Sequence, residues 1–386
     1  MEPENQSTPP DPLGQQPSEP IMLPPEPLPP EQPGFAKTLR RIFLGPKGLR
    51  AGWSVALFIA LLVLFSIPLE ILTSKLHLIG KRGDFTPSSA FFGELAGVIS
   101  MLAAGAIVAR IERRRILDYN LTGPRRTTHF FTGVGFGFLA LSALVGAMYL
   151  GGWLHFGPAA LSGAAILKYA AIWGCAFLLV GCFEEGTMRC FLLYTFTRGL
   201  NFWWALGIVG AICLDLVLRT KGNGAWGVYA IALLGVIPCL LLELRKAPSA
   251  GFWQAAWVTS AFFGFGHTGN NGENWIGIFA AAFIGFVFCV SVKVTGSAWW
   301  AIGCHMGWDW SETYFYGTAD SGLVAQGHYL TTTTSGNPFW SGGADGPEGS
   351  LLVIGICLLL LAALLIIYGR RNPAPLPMPT AEHFAG

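Results

Sequence analysis

The chain has 386 residues, 52% of them hydrophobic and only 12% charged, with a mean hydropathy of +0.51. Soluble domains carry about 25% charged residues, so this composition excludes a water-soluble globular protein and specifies a polytopic membrane protein. The net charge of +2 gives no basic surface for nucleic acid. The basic residues gather instead at the ends of apolar stretches, where they report topology.

The first 34 residues hold 12 of the 25 prolines, several acids and no apolar core long enough for a signal peptide. Residues 1–36 are therefore expected to form a disordered, Pro-rich tail. Stretches of roughly 17–25 apolar residues can cross a bilayer as helices. They recur near 52–73, 91–109, 130–150, 167–190, 202–218, 224–242, 252–267, 275–294, 297–316 and 350–368. The fold class is thus all-α: a transmembrane helical bundle of about 8–10 spans enclosing a polar intramembrane cavity. The stretch 252–267 is short, and 297–316 is interrupted by His305, Asp309 and Glu312. Both suit broken helices that line a cavity.

Residues 50–316 read as one transmembrane domain, with a motif core at about 167–316. The Gly/Thr/Ser-rich stretch 317–349 reads as an extracytoplasmic loop, 350–369 as a last transmembrane helix and 370–386 as a flexible tail. Lys37, Arg40, Arg41, Lys47 and Arg50 precede the first span, and Arg113–Arg115 with Arg125 and Arg126 follow the second. The positive-inside rule then places both termini in the cytoplasm and 317–349, which lacks Lys and Arg, outside. All eight cysteines lie in apolar stretches without a CxxC, which suits buried small side chains rather than disulfides or a cysteine zinc site.

Three polar clusters interrupt the apolar spans. The first is Glu184, Glu185 and Arg189; Glu185 and Arg189 are four apart and share a helical face, leaving Glu184 the less compensated acid. The second is Phe263 through His267, followed by a polar stretch from Thr268. The third is His305 and Asp309, again one helical turn apart. Each such group at membrane depth costs a few kcal/mol on insertion scales, so the economical arrangement is one shared polar pocket. Two histidines, two glutamates and an aspartate in a low-dielectric cavity can support hydrolysis, with a carboxylate taking a proton from water and imidazoles steadying an oxyanion. Glu184, His267 and His305 are also chemically suited to bind zinc, although none has HExxH spacing. Taken singly, each cluster reads equally as structure: a Glu–Arg clamp, or a histidine packed at a helix end.

The motifs EExxxR (Glu184, Glu185, Arg189), FxxxH (Phe263, His267) and HxxxD (His305, Asp309), in that order on separate helices, resemble the CPBP family. That family comprises the type II CAAX prenyl proteases and their bacterial relatives. The basic stretch Arg113–Leu121 is similar to the turn that leads into its domain, and the resemblance covers roughly residues 90–316. It implies an intramembrane endopeptidase, working with zinc or without a metal, that acts on a membrane-associated protein or peptide substrate within the lipid bilayer. By position, Glu184 would be the general base, His267 would position the water, and His305 with Asp309 would stabilise the oxyanion. Arg189 would hold Glu185, and Phe263 would pack the pocket wall. Two departures stand out: Asp309 replaces the Asn of the eukaryotic and archaeal enzymes, and an extra hairpin at about 202–242 separates the first two motifs. A bacterial cytoplasmic membrane is the expected location. Two other readings remain open: a proton-coupled transporter, which the lack of an internal repeat disfavours, and a non-enzymatic immunity or scaffold protein.

Overall fold

A computed structural model describes residues 34, 38–39, 42–45, 48–80, 85–220, 225–247, 249–270 and 272–369, with the side chains of 220 and 225–234 left aside. The tail expected at 1–36, apart from Gly34, and the tail expected at 370–386 lie outside the described residues. The described part from Phe43 onward is helical nearly throughout. In chain order its helices are α1 (Ala51–Lys75), α2 (Pro87–Ile111), α3 (Arg126–Leu150), α4 (Ala164–Glu185), α5 (Leu193–Gly199), α6 (Phe202–Thr220) and α7 (Ala225–Leu244). These are followed by α8 (Ala250–Gly266), α9 (Trp275–Thr295), α10 (Trp299–Asp309), the short α11 (Pro338–Ser341) and α12 (Leu352–Tyr368). Among the described residues six elements are long and apolar enough to cross a membrane: α1, α2, α3, the continuous 36-residue rod Ala164–Gly199, α6 and α9. The other expected spans appear as the shorter α8, α10 and α12, and as α7, which with α6 forms the inserted hairpin.

The apolar faces of these helices follow the medium they meet. On α1, Val63, Leu64, Ile67 and Ile71 are half or more exposed; in lipid such a surface needs no protein partner. By contrast α9 is mostly buried and forms the centre of the bundle.

The closest helix contact is between α3 and α10, and small residues make it possible. A Cβ on Gly133 or Gly137 would collide with the backbone of Trp300 or Cys304, and one on Gly303 or Gly307 with the backbone of Phe130 or Val134. Each helix thus offers glycines four apart, the arrangement that lets membrane helices approach backbone to backbone. His305 lies between Gly303 and Gly307, so this contact fixes its height in the bundle.

The rod Ala164–Gly199 is not uniform. Gly186–Leu192 is wound as a π-helix directly after Glu184 and Glu185, and Trp310–Tyr316 is wound the same way directly after Asp309. Short π segments inside α-helices concentrate at functional sites because the wider turn re-aims side chains. Asn120 secures the first of them. Its backbone is left-handed (φ 54°), its Nδ2 donates to the Arg189 carbonyl at 2.8 Å, and its own carbonyl accepts from the Ala298 N–H at 2.8 Å, at the start of α10.

The segment 317–349 packs against the bundle. Thr332–Thr334 pairs antiparallel with Leu154–Phe156, and Trp340 stacks on Trp153 at 5.2 Å. The Gln326 N–H donates to the Phe85 carbonyl at 2.9 Å, and the Tyr329 N–H to the Tyr314 carbonyl at 2.7 Å. It forms a cap on one end of the bundle.

Candidate active site

The three polar clusters converge. Glu184, Phe263, His267, His305 and Asp309 all line one cavity of about 260 Å³, roofed by Asp320, Ser321, Leu323 and Glu348 of the 317–349 cap. Glu184 and Glu185 come from the C-terminal turn of α4, His267 from the 3₁₀ turn that ends α8, and His305 and Asp309 from α10.

The two glutamates have different partners. Glu185 is fully buried and paired with the fully buried Arg189, Nε to Oε2 at 3.1 Å and Nη1 to Oε1 at 3.2 Å. Arg189 is also held by ring faces: its guanidinium carbon lies 4.3 Å from the centre of Phe263 and 5.4 Å from that of Phe288. Such cation–π contacts strengthen where water is excluded. Gly285 on α9 leaves the room, since a Cβ there would come within 2.6 Å of Arg189 Nη2. Glu184 has no basic partner of this kind. It is about one-third exposed, and its nearest partner is His305 Nε2, 3.7 Å from Oε2.

His305 sits at the centre of the acids. Its Nδ1 lies 2.9 Å from Glu185 Oε1 and its Nε2 3.5 Å from Asp309 Oδ2. A carboxylate accepts, so the proton in the short contact belongs to Nδ1. His267 is fixed differently: its Nδ1 stands 2.8 Å from the Phe263 carbonyl, which can only accept. A neutral His267 in that arrangement leaves Nε2 as an acceptor. Its ring also packs against Phe263, 4.7 Å between centres. Phe263 therefore touches both Arg189 and His267.

Zinc is not well served by these side chains. Among the described residues no three His, Cys, Asp or Glu side chains gather closely enough to hold one ion, whereas a zinc site needs three or four ligands at about 2.0–2.3 Å. The Nδ1 contacts of His305 with Glu185 and of His267 with a carbonyl leave both Nε2 atoms open, but without a third close ligand the chemistry below runs on these side chains alone.

Several cavity residues carry no motif. Glu94 of α2 lines the wall beside Glu184, and Glu273, Asp320 and Glu348 add acids from loops. A single acid inside the apolar stretch of α2 is the sequence signal that marks Glu94. Asp215 pairs with Arg219 at 2.7 Å on a largely exposed face of α6 and does not line the cavity.

The family model described as type II CAAX prenyl endopeptidase Rce1-like matches residues 239–311. That segment runs from the end of α7 through α10 and includes Phe263, His267, His305 and Asp309; Glu184, Glu185 and Arg189 precede it, and of these Glu184 lines the same cavity. No curated protein and no solved structure gives a match. The match, on a helical bundle with membrane-crossing segments, supports the CPBP/CAAX protease-like family for this integral membrane protein.

Proposed function

We propose that the chain is an intramembrane endopeptidase of CAAX type, with Glu184 as the general base. One observation carries this reading: Glu184, His267 and His305, from three separate helices, share a single cavity. Glu184 is the acid without an arginine, so its lone pairs are available to take a proton from water. His267, with Nδ1 turned to the Phe263 carbonyl, offers Nε2 to hold that water. The water oxygen attacks the peptide carbonyl carbon while its proton passes to Glu184. On collapse the C–N bond breaks and Glu184 returns the proton to the leaving amine.

His305 is suited to the oxyanion. With Nδ1–H donated to Glu185, a second proton on Nε2 makes it an imidazolium, which Glu184, Glu185 and Asp309 surround at 2.9–3.7 Å. Asp309 then serves by holding the imidazolium, a role an ionised carboxylate can fill, whereas direct donation to an oxyanion would require it to be protonated. Arg189 keeps Glu185 in place and enters no proton transfer. The substrate is a membrane-associated protein or peptide, reached from within the bilayer.

The test is cleavage of a fluorogenic membrane-anchored peptide in proteoliposomes. Glu184→Gln and His305→Ala are expected to lose activity by about 10²–10⁴-fold, the usual worth of a positioned acid or base, with the helical fold intact. Full cleavage by Glu184→Gln would sink the assignment of the base.

A further inference from the structure

The cap and the bundle meet through two carboxyl groups. Asp345 of the cap is 1% exposed, and neither of its carboxyl oxygens has a hydrogen-bond donor. Glu273 sits just before α9, and its Oε1 is likewise without a donor, while Oε2 faces Asn270 Nδ2 at 3.4 Å. Both acids press on the same spot: a Cβ on Gly277 would collide with Glu273 Oε1 and with Asp345 Oδ2 together. Two buried carboxylates side by side, with no cation between them, repel; with one proton between them, one carboxyl donates to the other.

We propose that the Glu273–Asp345 pair is a proton-operated latch that holds the cap across the cavity. The latch reaches the cavity roof through the main chain. The Asp345 carbonyl accepts from the Gly322 N–H at 3.1 Å, which anchors the Asp320–Leu323 turn whose side chains line the cavity. Release of Asp345 therefore frees that roof. A part of the junction that does not titrate stands beside it: Asn274 caps α9 through Oδ1 and offers Nδ2 to the Gly349 carbonyl at 3.2 Å.

Among the described residues no lysine or arginine pairs with either acid. From the cap, Glu348 faces Glu273 and Asp320 faces Asp345; from the π turn after α10, Glu312 also faces Asp345, while His305 reaches Glu348 rather than the pair. Glu348 and Glu312 share a single donor, Trp308 Nε1, at 2.8 and 3.1 Å. Burial first, and Glu348 next, push Glu273 up to about 7; burial and the adjacent Glu273 push Asp345 up to about 8. The sign follows: the closed cap binds a proton that the open cap releases in the ordinary carboxylate range. Closure is then fully favoured at low pH, weakens as pH rises, and has lost this contribution above about 8.

Hydrogen exchange of the full chain in lipid nanodiscs, corrected for the intrinsic pH dependence of exchange, tests the latch without any substrate. Between pH 5.5 and 7.5 the opening equilibrium of peptides spanning 320–323 and 338–349 should rise by up to about tenfold per pH unit, the limit for one linked proton, and then level off. Glu273→Gln and Asp345→Asn, tested separately, should each keep the cap protected at pH 8.5, because a carboxamide donates to the remaining carboxylate at any pH. A flat wild-type profile would overturn the latch, as would both variants retaining the wild-type slope. So would parallel loss of protection in α9, which would mean general unfolding, or restored protection at pH 8.5 on adding calcium, which would mean a bridging cation.

Discussion

Two regions of this molecule bury acids, and they do so in opposite ways. At the α1–α2–α5 junction, Glu112 is 4% exposed and surrounded by donors. Arg114 Nε lies 3.1 Å and Arg198 Nη1 2.8 Å from its Oε2, while Tyr119 and Ser54 donate their hydroxyls to it. Arg114 then continues to the Tyr194 hydroxyl at 2.7 Å. At the cavity, Glu94, Glu184, Glu273, Asp309, Asp320 and Glu348 line one space with no lysine or arginine among the lining residues. A saturated acid ties helices together; an acid left without a cation is available to exchange protons. The same contrast recurs within one motif, where Glu185 is clamped by Arg189 and Glu184 has no arginine or lysine, only His305 at 3.7 Å.

The contrast can be broken at several points. The largest expected effect is on catalysis: Glu184→Gln should reduce cleavage by about 10²–10⁴-fold while thermal unfolding in detergent is unchanged. Next come the saturated pairs. Arg189→Met strands Glu185 in the core and should cost about 3–5 kcal/mol of stability, as removing one partner of a buried pair does; Glu112→Gln should destabilise in the same direction by leaving two arginines uncompensated. Chemical denaturation in mixed micelles would report both, and wild-type stability in Arg189→Met would refute the clamp. A smaller effect, about 1–3 kcal/mol, is expected for Gly137→Ala, whose Cβ meets the Cys304 carbonyl on α10. Finally, chelation of divalent metals should leave cleavage by the purified protein unchanged; loss of activity restored by zinc would contradict the ligand geometry.

Much of the bundle was legible from hydropathy alone, because lipid-facing helices such as α1 need only apolar length. The convergence of Glu184, His267 and His305 was legible too, since acids and imidazoles at membrane depth must meet something polar. Other features had no such signal. The cap at 317–349 is held by main-chain hydrogen bonds and by Asp345 and Asn274, none of which leaves an apolar period in the sequence. The π turns after Glu185 and Asp309 depend on tertiary contacts, among them the Asn120 bond to the Arg189 carbonyl. The α3–α10 contact was within reach, because Gly133 with Gly137 and Gly303 with Gly307 form small-residue pairs at the spacing that membrane helices use to approach.

The central claim is that uncompensated acids do the chemistry and saturated acids hold the fold. Parallel measurement of peptide cleavage and thermal unfolding for Glu184→Gln and Glu112→Gln in proteoliposomes tests it most directly. The account predicts that Glu184→Gln loses cleavage at unchanged unfolding temperature, and that Glu112→Gln unfolds at lower temperature yet still cleaves where it remains folded. Cleavage by Glu184→Gln at the wild-type rate would contradict it.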